Sequence, residues 1–235
     1  MAKMVGLSRN LKLPWLNETV RLYSEGLDEK EIKEKLNEYL SFEIGSPTVL
    51  RKTREILMNI WVYENDYTSD LREEGLRLIK KDSDYALPVH WCMMLAAYPV
   101  FQDMCRLIGK IGEFEETMTT KQIKQKLFDE WGERSTLYHS SDKLISTLKA
   151  LGALESQKVG VYSIKEHHFS DAEIINYMLL TMMKIDDAGY YSIRELENSL
   201  YLFPFDFKVS KEALLGDERF TSGTFGGEVS YSLKE

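Results

Sequence analysis

Cysteine, proline and histidine are all scarce in this chain, and each shortage removes a class of protein. Two cysteines, Cys92 and Cys105, are too few for a disulfide framework. Both lie inside apolar helical patterns, which reads as buried thiols in a reducing compartment, so a cytoplasmic location is expected. There is no Cys-x-x-Cys pair, which argues against a zinc site. Five prolines leave long stretches free for helix and disfavour a sandwich with many turns. Long apolar runs are missing as well. The most apolar stretch, Trp91 to Phe101, is short and broken by Pro99, so no membrane span is expected. Lys3, Arg9 and Lys12 are followed by no apolar segment of the signal-peptide kind.

The few histidines assemble nothing catalytic. His90 and His139 stand apart, and the neighbours His167 and His168 follow an expected strand, where adjacent side chains point to opposite faces. Asp186-Asp187 precedes Gly189 and reads as turn chemistry rather than a metal site. Gly223-Thr224-Phe225-Gly226-Gly227 lacks the Lys-Ser or Lys-Thr of a phosphate-binding loop. The expectation is a protein without enzymatic activity, cofactor or metal.

Hydrophobic residues make up 43% of the chain, enough to build a core, and their spacing is helical. The fold class expected is mainly α, in three parts. Residues 1–112 read as a helical bundle. A helix from Leu16 to Glu25 stops at Gly26, and Asp28 caps a second helix with Ile32, Leu36, Tyr39 and Leu40 on one face. Ser46-Pro47 starts a third, the Ser hydroxyl serving as cap, with Arg51, Lys52 and Arg54 outward. A fourth covers Ser69 to Lys80. Tyr85 to Ile108 form apolar helix, bent or divided near Pro99. Trp61, Trp91 and Trp131 read as core.

Residues 113–168 have the order helix, connection, helix, hairpin, which is that of a winged helix-turn-helix. Thr119 and Gln122 are spaced as a capping box. A polar connection, Gly132 to His139, leads to a second helix capped by Ser140. Leu144, Ile145, Leu148 and Leu151 are its buried stripe and Gly152 its stop. Ala153 to Ser156 and Val161 to Ile164 then read as two strands around a tight turn. Residues 169–235 are a C-terminal helical segment ending in a β-hairpin, with the outline of a second, degenerate winged helix.

Charge follows these divisions. The net charge is −8, which argues against nonspecific wrapping of nucleic acid. Between Thr119 and Lys165, however, eight Lys and Arg face five Asp and Glu, whereas from Ser170 onward six face twelve. The positive block coincides with the helix-hairpin motif. A helix lying in the major groove must present short polar side chains to base edges. Opposite the leucine stripe stand Lys143, Ser146, Thr147 and Ala150, with Ser140 and Ser141 placed at the helix start to hold a phosphate. Lys158 occupies the hairpin tip, and Arg134, Lys149, Lys121 and Lys124 supply further phosphate contacts. Asp142 and Glu155 would repel phosphate. The same motif also serves as a protein-docking module.

The order of features resembles the BrxA family, accessory proteins of bacteriophage-exclusion (BREX) defence systems. The features are Gly26-Leu27-Asp28, then Ser46-Pro47-Thr48 with Arg51 and Arg54, then Leu78-Ile79-Lys80-Lys81-Asp82. Trp131 and the stretch from Ser140 to Lys143 lead into Leu148-Lys149-Ala150-Leu151-Gly152-Ala153-Leu154. The resemblance spans roughly residues 15–185, and the acidic tail after Gly189 exceeds the family's usual length. It implies a helical domain similar to the antitermination factor NusB, then a winged helix that binds double-stranded DNA. It also implies other phage-defence subunits as partners; the acidic net charge, which makes a single copy a poor DNA binder, adds a homodimer as an option. A transcriptional regulator of another operon and a protein-docking scaffold are the competing readings, with RNA binding through Arg51, Lys52 and Arg54 as a minor variant.

Overall fold

A computed structural model describes residues 6–64, 68–186, 188–225 and 227–234; Lys3, Asp187 and Gly226, noted above, lie outside that range. The chain is mainly helical. Four amphipathic helices come first: α1 (Leu13–Ser24), α2 (Glu29–Ser41), α3 (Pro47–Trp61) and α4 (Thr68–Lys81). Gly26, at φ +74°, ends the first turn after α1. Asp28 caps α2 in a reciprocal box with Glu31. The cap expected from Ser46 is not made. Ser46 holds the N-cap position of α3, but its side chain makes no cap bond, and Pro47 alone marks the start.

The centre of the core is α5 (Ala86–Ala97), apolar on every side and buried along nearly its whole length. Tyr98 separates it from α6 (Pro99–Gly112), so the chain divides at Pro99. Trp91, on α5, is fully buried. Its indole N–H donates to the Tyr201 carbonyl at 2.9 Å, and its ring meets Phe101, Phe203 and Phe205 edge-on. C-terminal residues thus complete the core of the N-terminal bundle.

The middle segment continues with β1 (Met118–Thr119), α7 (Thr120–Trp131), α8 (Ser135–Ala150), β2 (Leu154–Lys158) and β3 (Val161–Ile164). The strands form one antiparallel sheet in the order β1-β3-β2. Two expectations need correcting. The connection after α7 is only Gly132 to Arg134, because α8 begins at Ser135 and takes in residues assigned above to a polar loop. Leu137 anchors its first turns by full burial, and Tyr138 stacks on Phe128. Ser140 is therefore interior to α8 and is not its cap.

The last segment holds β4 (His167–Phe169), α9 (Ala172–Ile185), α10 (Ile193–Glu197), β5 (Phe205–Phe207), α11 (Lys211–Gly216), β6 (Phe220–Phe225) and β7 (Glu228–Leu233). Between α10 and β5 lies a 3-10 turn at Leu200–Leu202. β4 and β5 pair in parallel, and β6 and β7 form the expected hairpin.

The two halves share an order of elements. α6, β1, α7, α8, β2 and β3 have counterparts in α9, a bridge at Tyr191, α10, α11, β6 and β7. Met118 and Thr119 pair with the last strand of the first set, as Tyr191 pairs with Tyr231 in the last strand of the second. In both, the next helix opens with a capping box: Thr119 with Gln122, and Ser192 with Glu195.

Candidate nucleic-acid interface

The basic block is built around one turn. Gly160 adopts φ +71° between β2 and β3, a conformation costly for any residue with a Cβ. Its carbonyl accepts the Thr120 N–H at 2.9 Å, which ties the hairpin tip to the start of α7. The Thr120 hydroxyl lies 3.4 Å from the Tyr162 hydroxyl, and the ammonium of Lys149 stands 5.4 Å from the Tyr162 ring centroid. Lys158, on β2, and Lys121, one residue after Thr120, flank the same turn and are exposed. One aromatic ring and one glycine turn thus gather lysines from α7, α8 and β2.

These cations are not spent on carboxylates of the same chain. Lys121, Lys143, Lys149 and Lys158 form no ion pair among the described residues. Lys124 does. It binds Asp142 at 2.7 Å and sits 4.0 Å from the centroid of Tyr138. That pair offsets the repulsion Asp142 would exert on a phosphate.

The predicted site residues separate into two groups. Ser146, Lys149 and Lys158 are exposed, and Lys143 and Arg134 are half-buried. Arg134 precedes α8 with its guanidinium 5.8 Å from the Trp131 ring centroid. Ser140, Ser141 and Thr147 are buried and cannot meet a groove or a phosphate. Thr147 donates to the Lys143 carbonyl at 2.9 Å and accepts the Leu11 N–H at 2.9 Å. Ser141 donates to the Tyr138 carbonyl at 2.8 Å. Residues before α1, with Leu7 and Leu11 fully buried, reach the flank of α8 that Thr147 occupies. The outward stripe of α8 is therefore Tyr138, His139, Asp142, Ser146, Lys149 and Ala150; of the expected stripe Ser146 and Ala150 are exposed, Lys143 is half-buried and Thr147 is buried. Neither this N-terminal cover nor β1 was visible in the local sequence pattern.

Other candidates are not brought together. His167 Nε2 lies 3.0 Å from the Gly152 carbonyl, whereas His168 Nδ1 lies 2.7 Å from Asp206, so the two imidazoles serve different partners. On α3, Arg51 and Lys52 are exposed but Arg54 is engaged by Asn37 and Glu55. Among the described residues no three His, Cys, Asp or Glu side chains are grouped to hold a metal ion, and no helix is long and apolar enough to cross a membrane. No protein family, curated protein or solved structure matches the chain.

Proposed function

We propose that this is a non-enzymatic, DNA-binding accessory protein of a phage-defence (BREX) system, contacting duplex DNA through its middle segment as a winged helix. On this reading α6, α7 and α8 are the three helices, the β2–β3 turn is the wing, and α8 is the groove-facing helix. The observation that carries it is the set of three exposed, unpaired lysines around one turn, Lys121, Lys149 and Lys158, in a chain of net charge −8. Unpaired cations on a short-range scaffold bind polyphosphate by releasing its counterions. Ser146 and Lys149 face the duplex from α8, and Lys158 reaches a neighbouring phosphate. The acidic second set of elements is a degenerate winged helix turned to protein contact, and the first five helices form the NusB-like part. The engagement of Arg54 disfavours RNA binding there. Placement in a defence system rests on the motif order from Gly26 to Leu154.

The test is a duplex titration with single substitutions. Lys149→Ala and Lys158→Ala are each expected to weaken binding to all sequences by a similar factor. Exposed Lys30, on α2, serves as the control and should change nothing. Binding untouched by either substitution would remove α8 and the wing from the interface and favour a protein-docking scaffold.

A further inference from the structure

A groove of about 480 Å³ lies where the end of α6 meets the chain from Glu197 to Asp206. The two walls approach closely. A Cβ at Gly109 would fall 2.7 Å from the Leu200 carbonyl oxygen, so only glycine permits this contact. Ile164, Leu200, Phe203 and Phe205 supply its apolar lining. Six carboxylates also line it: Glu113, Glu115, Glu116, Glu166, Glu197 and Asp206.

Three of the six are engaged. Glu115 accepts from the Gln122 amide at 2.9 Å, Glu197 meets Lys208 at 3.2 Å, and Asp206 meets His168 at 2.7 Å. Glu113, Glu116 and Glu166 form no ion pair among the described residues. Two further features mark the place. Phe114, between Glu113 and Glu115 in the chain though not in the lining, is 80% exposed. Ser199, in the lining, has a buried hydroxyl without a hydrogen-bond partner.

We propose that this groove is a docking site for a basic, extended segment of a partner protein. Charge complementarity selects the occupant: uncompensated carboxylates repel nucleic acid and attract Lys and Arg. The apolar lining selects a peptide over a free polyamine. A peptide alternating basic and apolar side chains uses both parts of the groove, and a polyamine uses only the carboxylates. None of the lysines around Gly160 is in the lining of the groove.

The experiment uses the full chain and two fluorescent peptides of roughly ten residues, one alternating Arg and Leu and one alternating Glu and Leu. The basic peptide is expected to bind at low salt and the acidic one not. Glu113→Lys with Glu116→Lys should weaken the basic peptide at least about tenfold, whereas Glu34→Lys with Glu38→Lys, on α2, should change it less than about twofold. If the lysine pair disturbs the circular dichroism spectrum, Glu113→Gln with Glu116→Gln replaces it, with a loss of about threefold expected. Equal losses from the two faces, or no binding of the basic peptide, would overturn the proposal. Displacement of the peptide by spermine at equal concentration would overturn it in favour of a polyamine site.

Discussion

His90 shows how a polar ring is kept at full burial. The Trp61 indole N–H donates to its Nδ1 at 2.9 Å, and its Nε2 faces the Asn17 side-chain oxygen at 2.8 Å. Both contacts suit the neutral tautomer with the proton on Nε2. Burial lowers its pKa from 6.5 to about 3. Above pH 6.5 folded and unfolded chains are both neutral at this site, and the native state keeps its full advantage. As pH falls toward 3 the unfolded chain takes up a proton that the folded one refuses, so stability drops by up to about 1.4 kcal/mol per pH unit from this group. Urea midpoints measured at several pH values should show that fall, and His90→Gln should flatten it. An unchanged slope in the variant would assign the acid sensitivity elsewhere. Cys92 follows the same logic with the opposite charge: burial pushes its thiol up to about 12, so slow reaction with thiol reagents is expected in the native state. Thr147 is the third residue whose burial sets its role. Thr147→Val keeps the shape but strands the Leu11 N–H, and a loss of about 1–3 kcal/mol in urea unfolding is expected. DNA affinity of the folded variant should not move. A large affinity loss with unchanged stability would put Thr147 back at the DNA.

At the scale of elements, what was legible followed the leucines and glycines. Leu144, Leu148 and Leu151 are buried as their spacing requires, and Gly152 ends the turn after α8 at φ +76°. The capping box at Thr119 was readable because it is local, its two residues three apart. The start of α8 was not. Ser135, Thr136 and Ser140 resemble loop residues by type, yet Ser and Thr hydroxyls inside a helix can bond back to preceding carbonyls, as Thr147 and Ser141 do. A buried Thr therefore carries no polar mark of its burial. Its partner, Leu11, lies 136 residues away, beyond any periodicity. The strand β1 was missed because two residues, Met118 and Thr119, are too few to show alternation. The wing gives the sharpest prediction at this scale. Lys158→Ala should weaken binding to all duplexes alike and flatten the salt dependence by about one unit, read from titrations at several salt concentrations. A change in sequence preference instead would mean that Lys158 reads bases.

Across the whole molecule one apolar cluster runs from Leu7 to Tyr231 and draws on all three segments. Trp91 depends on Phe203 and Phe205, so a chain cut after Gly189 loses part of the bundle's own core. Removing the acidic tail is therefore a poor way to ask whether it repels DNA. Neutralising surface charge is a better one: Glu212→Gln on α11, which is exposed, should leave duplex affinity equal or slightly higher. Charge is segregated over this single core, with the lysines around Gly160 and the unpaired glutamates beside α6.

The most direct measurement is the equilibrium binding of the full chain to a labelled random-sequence duplex across a range of salt concentrations. With three exposed, unpaired lysines on the proposed face, Lys121, Lys149 and Lys158, the logarithm of the affinity should fall linearly with the logarithm of salt, with a slope of about −2 to −3. Binding that ignores salt, or no binding at low salt by a chain shown to be folded, would contradict DNA contact through the middle segment.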